Sequence, residues 1–543
     1  METLLRALRV SVLVGGAVLG LAGCGESSSA REEGTLKATY ASFPDYLDPQ
    51  LSYTAEGWTA MYDTYIPLLT YAHASGPAGS AIVPGLAKAM PEIGDDGRVY
   101  SLTLRPGLRY SDGRPVRASD FKATIERLFE INSPGSPFYT DIVGAERFAA
   151  TKRGGIAGID ANDRTGEIEI RLVKPRGTFT NELAMMFAAP LPPGTPAVDQ
   201  TASPPPATGP YEIVEAQPGR GWAYVRNPQW EGANGERIPT VPDGHFDEIE
   251  VRVVRNDATR THEVESGDVH WTQSNPPSDL YASVKEKYEG DQFRVEQTVS
   301  TYFFWMNTQR PPFDDLRVRQ AVNYAVDRDA LERIYAGSLA GLHQILPPGM
   351  PGHEPFDPYP HDMAKAKQMI AAADPADREI TVWANDENPN NEATAYYESV
   401  LDELGFEATL REVNAANYFS VVGNGSTPDL DTGWQSWFED YPHPNDFFEP
   451  LLAGESIQPV GNNNIAHADF ARLDAKMGRL GEQQLGPRQE REYAQLDREF
   501  MALAPWVSYG NNTTSTFVSD EIDLDAVVYN PTFGVDLTSL QFE

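Results

Sequence analysis

A single thiol serves all 543 residues of this chain: Cys24 is the one cysteine, so no intramolecular disulfide can brace the fold. Whatever follows it must be held by buried apolar surface and by secondary structure. The length corresponds to about three to four domain-sized units, enough for a large core. With 41% hydrophobic and 22% charged residues the composition is that of ordinary globular protein. The position of the thiol adds a second constraint. A short basic start, Met1 to Arg9, an apolar run from Val10 to about Leu19 and small residues before Cys24 read as an export signal. The run falls short of the about 20 apolar residues needed to span a bilayer, and no later stretch reaches that length.

Leu21-Ala22-Gly23-Cys24 resembles a bacterial lipobox, which implies cleavage after residue 23 and acylation of Cys24 as the mature N-terminus. The alternative is an ordinary signal with an incidental cysteine. One acyl chain holds weakly, so stable anchoring implies additional chains. Residues 24–34 are polar and Ser-rich and read as a flexible tether, with the fold starting near Thr35. The formal net charge of -36 argues against nucleic acid or an anionic lipid surface as a partner. It suits cationic ligands, and more readily a surface kept soluble by charge whatever it binds.

Along the chain, helical and extended patterns interleave. Val99 to Leu104 alternates with period two and, after Pro106-Gly107, predicts a hairpin with Leu108 to Tyr110. Ser119 is placed to cap a helix that carries Phe121, Ile125, Leu128 and Phe129 on one face. Residues 190–210, rich in Pro and Gly, read as a long irregular connection. Strands are predicted at Tyr211 to Val214, Ile249 to Val253 and Thr301 to Met306. Asp314 or Asp315 caps a helix whose buried stripe is Val318, Ala321, Val322, Ala325 and Val326, and Asp327 recaps a second helix ending at Gly337. Ile380 to Trp383, Glu392 to Leu404 and Phe406 to Val413 form a β-α-β unit. Two amphipathic helices, near Phe470 to Leu480 and Pro487 to Leu503, precede a strand-like close. Such interleaving implies α/β lobes with mixed sheets.

Several of these pieces resemble the large extracytoplasmic solute-binding proteins of ABC importers, the group of oligopeptide- and dipeptide-binding proteins. The most specific stretch is Pro312-Phe313-Asp314-Asp315-Leu316-Arg317-Val318-Arg319-Gln320-Ala321-Val322-Asn323-Tyr324-Ala325-Val326-Asp327-Arg328. Tyr100-Ser101-Leu102-Thr103-Leu104-Arg105-Pro106-Gly107, Ser111-Asp112-Gly113 and Ser119-Asp120-Phe121 form a second. Leu47-Asp48-Pro49, Gly209-Pro210-Tyr211, Arg226-Asn227-Pro228 and Ala364-Lys365-Ala366-Lys367 follow the family's order. The resemblance implies a two-lobed α/β fold of the periplasmic-binding-protein type, with mixed sheets and an extra inserted domain, closing over its ligand. Mapped here, the first lobe takes residues 35–65, 178–297 and 506–543, the inserted domain 66–177, and the second lobe 298–505. It also implies a monomer that does no covalent chemistry, needs no cofactor, and passes its ligand to permease subunits with cytoplasmic ATPases.

In peptide-binding relatives an aspartate soon after a tryptophan receives the ligand's α-ammonium group. The matching segment is Trp437-Phe438-Glu439-Asp440-Tyr441-Pro442-His443-Pro444-Asn445-Asp446, so the resemblance assigns that role to Asp440. The rival role for Asp440 is to cap a turn before Pro442. Ser436 stands where glycine usually precedes this tryptophan, and Gly433-Trp434 offers a competing frame. Trp437 would line a pocket, the backbone of residues 434–438 would pair with an extended peptide, and residues 50–57, including Tyr53, would face it from the other lobe. Trp305 and Trp383 sit on strands, where aromatic residues serve a site or a core. Dipeptide-binding relatives hold the ligand carboxylate with an arginine after the strand matching Ile380 to Trp383. This chain has Asn385-Asp386-Glu387-Asn388-Pro389-Asn390-Asn391-Glu392 instead, which favours longer peptides or a cationic or non-peptide solute such as an oligosaccharide, opine or metal chelate.

His443 lies near Asp440 and Asp446, but two prolines interrupt the spacing and no helical His pair is present, which argues against a metal site. No Gly-x-Ser-x-Gly elbow, phosphate-cradling loop or His-Glu-x-x-His occurs. Acidic pairs leave a glycosidase-like dyad open, and a sensor lipoprotein or extracellular hydrolase remains the rival reading.

Overall fold

The computed structural model describes residues 32–230 and 238–543. The export signal and Cys24 lie outside the described residues. The first strand, Glu32–Tyr40, already pairs at Glu32 with Phe246 and runs parallel to Phe246–Val253. Its neighbours on one side are Gly221–Arg226 and Tyr211–Gln217, and on the other Trp271–Thr272. A second set of strands, Glu407–Val413, Glu379–Asn385, Thr432–Phe438 and Ser300–Met306, forms the far half of the same twelve-stranded mixed sheet.

One strand joins the halves. Trp506–Val518 pairs near its start with Ser300–Met306 and near its end with Phe293–Gln297 and Trp271–Thr272. The chain therefore passes from one half to the other twice in adjacent places, at residues 297–300 and 510–513. Two large apolar cores flank this junction. One gathers Leu36 through Trp271 with Val518 through Leu540, and the other gathers Val299 through Tyr509. Two cores meeting at two short crossings allow rigid-body rotation about the junction.

Local sequence explains the elements. Asp315 and Asp327 each accept a hydrogen bond at a helix start, capping Leu316–Ala325 and Arg328–Ile334. Val318, Ala321 and Val322 are fully buried as the 3.6-residue period requires, each valine worth roughly 1.5–3 kcal/mol relative to exposure. The predicted 99–110 hairpin does not form. Val99–Thr103 pairs instead with Glu92–Gly94 and with Glu167–Arg171, in a four-stranded antiparallel sheet completed by Ile159–Asn162. Ile168 and Ile170 supply the matching buried alternation, while residues 108–110 make only an isolated bridge between Arg109 and Pro115. The helix over this sheet, Ala118–Glu130, begins after Arg117. Ser119 thus lies inside its first turn, its hydroxyl donating to Asp163, and Asp120 accepts the Arg117 N–H. The second helix of the Asp327 pair ends at Ile334, short of Gly337.

Candidate ligand-binding site

The strand Thr432–Phe438 divides into a core half and an open half. Along its whole length it pairs antiparallel with Ser300–Met306, but its other edge meets Glu379–Asn385 only at Thr432 and Gly433. Beyond Gly433 that edge pairs with no strand among the described residues. At Gly433 a side chain would have its Cβ 2.6 Å from the Trp383 carbonyl oxygen and 2.9 Å from the Trp305 ring, so only glycine lets the strands pass this closely. Three of the predicted site tryptophans meet here as core. Trp305 is fully buried and donates its indole N–H to the Trp434 carbonyl, Trp383 donates to the Asp429 carbonyl, and Trp434 donates to the Tyr509 hydroxyl. Trp437 is half-buried and points its indole N–H at Asp446 Oδ2, 3.4 Å away.

The chain then turns into a corner of carboxylates. Glu439 N–H donates to the Val299 carbonyl beside the crossing, and Asp440 N–H donates to Asp446 Oδ2 at 2.9 Å. Asp446 thus holds the turn, and the Asp440 carboxylate reaches away from it. Its Oδ2 accepts the hydroxyl of Tyr53, whose ring packs on Trp58 and Phe187 of the first core, at 2.6 Å. A second bond crosses in parallel, from Thr532 Oγ1 to Glu439 Oε1 at 2.9 Å. The other Glu439 oxygen is buried without a hydrogen-bond partner.

Between these contacts lies a cavity of about 310 Å³. Tyr53 to Glu56 and Trp58 form one wall, Phe438 to Asp440 the opposite one, Thr298, Val299 and Asn512 of the crossings the back, and the segment from Tyr529 to Val535 the floor. Thr59, Trp271, Gln273, Thr514 and Ser515 complete it. Its charged lining is acidic: Glu56, Glu439 and Asp440, with no lysine, arginine or histidine among the described residues that line it. Burial pushes the Asp440 carboxyl up to about 7, against the Tyr53 hydrogen bond that lowers it. Burial likewise lifts Glu439 to about 8, with the nearby Asp440 carboxylate adding to the shift. Asp446 is raised as well, by burial first and then by Asp440. Three carboxyl groups are therefore packed together without a cation to share.

Of residues 50–57, Tyr53 to Glu56 line the cavity, whereas Gln50 is fully buried and bonded to Arg127. Trp305, Trp383, Trp434 and Trp437 are not among its lining residues. The arginine-free segment after Trp383 is tied up locally: Asn385 accepts the Glu387 N–H and Asn390 accepts the Tyr335 hydroxyl. His443 is fully buried, accepts the Asn445 N–H at Nδ1, and is pushed down to about 3 by burial and by Arg176, so it stays neutral. A different group, Asp63, His73 and Asp536, brings three possible ligand atoms within 4.8 Å of one another. Its His73 Nδ1 is hydrogen-bonded directly to Asp536 Oδ2 at 2.6 Å. Sequence reasoning missed Glu439, although it lies inside the quoted motif, and missed the 529–535 floor, marked only by Asn530-Pro531.

Known proteins resemble this chain over most of its length. Heme-binding protein A of Haemophilus influenzae (strain Rd) is 26% identical over 97% of this chain and 98% of its own length. The probable D,D-dipeptide-binding periplasmic protein DdpA of Escherichia coli K12 is 25% identical over 78% of each chain. Among solved structures, clavulanic acid biosynthesis oligopeptide binding protein 2 superposes with a TM-score of 0.85 at 24% identity, covering 95% of this chain and 96% of that one. The periplasmic binding protein DppA of Helicobacter pylori, in complex with peptide STSA, gives 0.74 at 20% identity, covering 93% and 98%. These likenesses establish the two-lobed α/β fold. A family model described as bacterial extracellular solute-binding proteins, family 5 Middle, matches residues 81–458, well over half of the sequence. The chain belongs to the bacterial extracellular solute-binding proteins, family 5, which bind solutes and are not enzymes.

Proposed function

We propose that this protein is the lipid-anchored substrate-binding component of an ABC importer, and that it captures peptides longer than dipeptides by closing its lobes around them. The observation that carries the reading is the Glu439-Asp440 corner: a buried and a half-buried carboxyl group without a cation, beside a strand edge with which no described strand pairs. A peptide supplies both missing parts. Its α-ammonium satisfies Asp440 through charge-assisted hydrogen bonds, and its main chain adds to the edge beyond Gly433. The absence of an arginine after Trp383 leaves the carboxyl end unanchored, which suits ligands of more than two residues. Relatives named for D,D-dipeptides and for di- and tripeptides support the class.

Closure follows from the same contacts. Tyr53 and Thr532 on one side meet Asp440 and Glu439 on the other, so only the closed form presents both walls to a ligand. In this reading the lobes divide at the two crossings, with residues 66–177 inserted in the first, Cys24 tethers a monomer to the membrane, and permease subunits with ATPases receive the ligand. Among the described residues no helix is long and apolar enough to cross a membrane. One relative is named for heme, but none of the described cavity residues is a His, Cys or Met to bind iron, or a Lys or Arg to pair with propionates. Native mass spectrometry of protein from its own membranes tests the reading. It should release free-amine peptides of three or more residues and show lipid on Cys24; a retained non-peptide solute would refute the ligand class, and an unmodified Cys24 thiol the anchor.

A further inference from the structure

The cavity holds more acid than one α-ammonium can answer. If Asp440 takes that group, as the proposed function has it, Glu439 remains. Glu439 lines the cavity yet is only 6% exposed; one oxygen accepts from Thr532, and the other is buried without a partner. A buried acceptor left unsatisfied is destabilising, and a buried carboxylate more so. No neighbour relieves it. The groups that bear on it are Asp440 and Asp446 on its own segment, Thr532 and Tyr529 on the floor, and Tyr71 behind. Glu56 across the cavity is acidic too. Arg176, the half-buried guanidinium that bears on the adjoining Tyr441 and His443, is committed to Glu182 and Asp141.

A neutral donor would complete the Glu439 hydrogen bonds but would not offset the charge that either carboxyl group takes on when it ionises. A cation answers both, and the faces of Trp58, Trp271 and Phe533 in the same cavity can shelter its methylene stem and favour its charge. Glu439 and Asp440 are consecutive residues, so the two cations must be close together on the ligand. We propose that Glu439 is a specificity-determining residue that receives the side-chain cation of a basic first residue, making peptides with amino-terminal lysine or ornithine the preferred ligands. The inference rests on the peptide reading and sharpens it: Asp440 reads the amino terminus, and Glu439 reads the side chain beside it.

Calorimetric titration with Lys-Ala-Ala, Orn-Ala-Ala and the uncharged isostere norleucine-Ala-Ala tests it, on the wild type and on Glu439→Gln. The wild type should bind at least one basic peptide roughly tenfold or more tighter than the norleucine peptide, as expected of a hydrogen bond to a charged group. In Glu439→Gln, which keeps the size and hydrogen-bonding capacity, that preference should fall below about threefold, with an unchanged circular dichroism spectrum reporting the intact fold. Equal binding of basic and norleucine peptides by the wild type, or a preference that survives Glu439→Gln, overturns the inference and leaves the peptide reading standing. Failure of all three peptides to bind the wild type overturns both.

Discussion

Two sites that hold carboxyl groups in this molecule sit in opposite electrostatic situations. Asp48, from Leu47-Asp48-Pro49, is fully buried and receives both terminal nitrogens of Arg127, at 2.6 and 3.2 Å, while Arg127 also binds Gln50 and the Pro196 and Val198 carbonyls. Asp440 and Glu439 receive one hydroxyl each and no cation. The first pair is complete within the protein and ties the helix Ala118–Glu130 to the segment that follows the first strand. The second is incomplete until something else arrives. Residue type does not separate structure from function here. What separates them is whether the fold itself supplies the opposite charge.

Breaking the complete pair should have the largest effect. Arg127→Met strands the Asp48 carboxylate in the core and should cost about 3–5 kcal/mol of stability, read as a lower urea midpoint with ligand absent. If the midpoint barely moves, Asp48 is not held by charge and the contrast fails. The incomplete corner should respond the other way. The folded values of Asp440 and Glu439, about 7 and about 8, lie above their ordinary 3.8 and 4.5, so the folded state binds these protons more tightly than the unfolded chain does. Their contribution is most favourable below pH 4 and is lost as pH rises through 7 to 8. Glu439→Gln should therefore raise ligand-free stability at pH 8.5 by on the order of 1 kcal/mol, and by nothing near pH 4. A constant difference at all pH values would contradict the assignment. Smallest is Tyr53→Phe, which removes one hydrogen bond across the cavity and should weaken peptide binding by about 1 kcal/mol without changing the fold. No change in affinity would mean that the Tyr53–Asp440 contact does not contribute to closure.

The same contrast marks what could be read from the sequence. Leu316–Ala325 was legible because its cap, Asp315, and its buried stripe are local features with a fixed period. So were the strands Glu379–Asn385 and Glu407–Val413, set on either side of a helix stopped near Gly405. Pairing over long separations was not: Val99–Thr103 finds its partner at Glu167–Arg171, and the long strand Trp506–Val518 serves both halves of the sheet, a choice that no local pattern records. The tryptophans show the limit at the site. A strand position says that Trp305 and Trp434 are buried, but not whether protein or ligand buries them, and Gly433 turns out to be the reason they pack together as core. Asp440 was singled out through its motif, and the structure adds that it lines the cavity and accepts the Tyr53 hydroxyl. Glu439 was not, because its importance lies in a partner that is missing, and that can be seen only when the surrounding groups are in place.

The central claim, that the corner is completed by a ligand's α-ammonium, is tested most directly by comparing Asp440→Ala with the wild type on two forms of one tripeptide, free-amine and N-acetylated. Removing the carboxylate leaves the ligand ammonium enclosed without its counter-charge, at a cost on the order of 2–5 kcal/mol. The account predicts that the substitution weakens the free-amine peptide by that amount and hardly alters the acetylated one. If both forms lose affinity equally, or if neither changes, Asp440 does not receive the amine and the account is wrong.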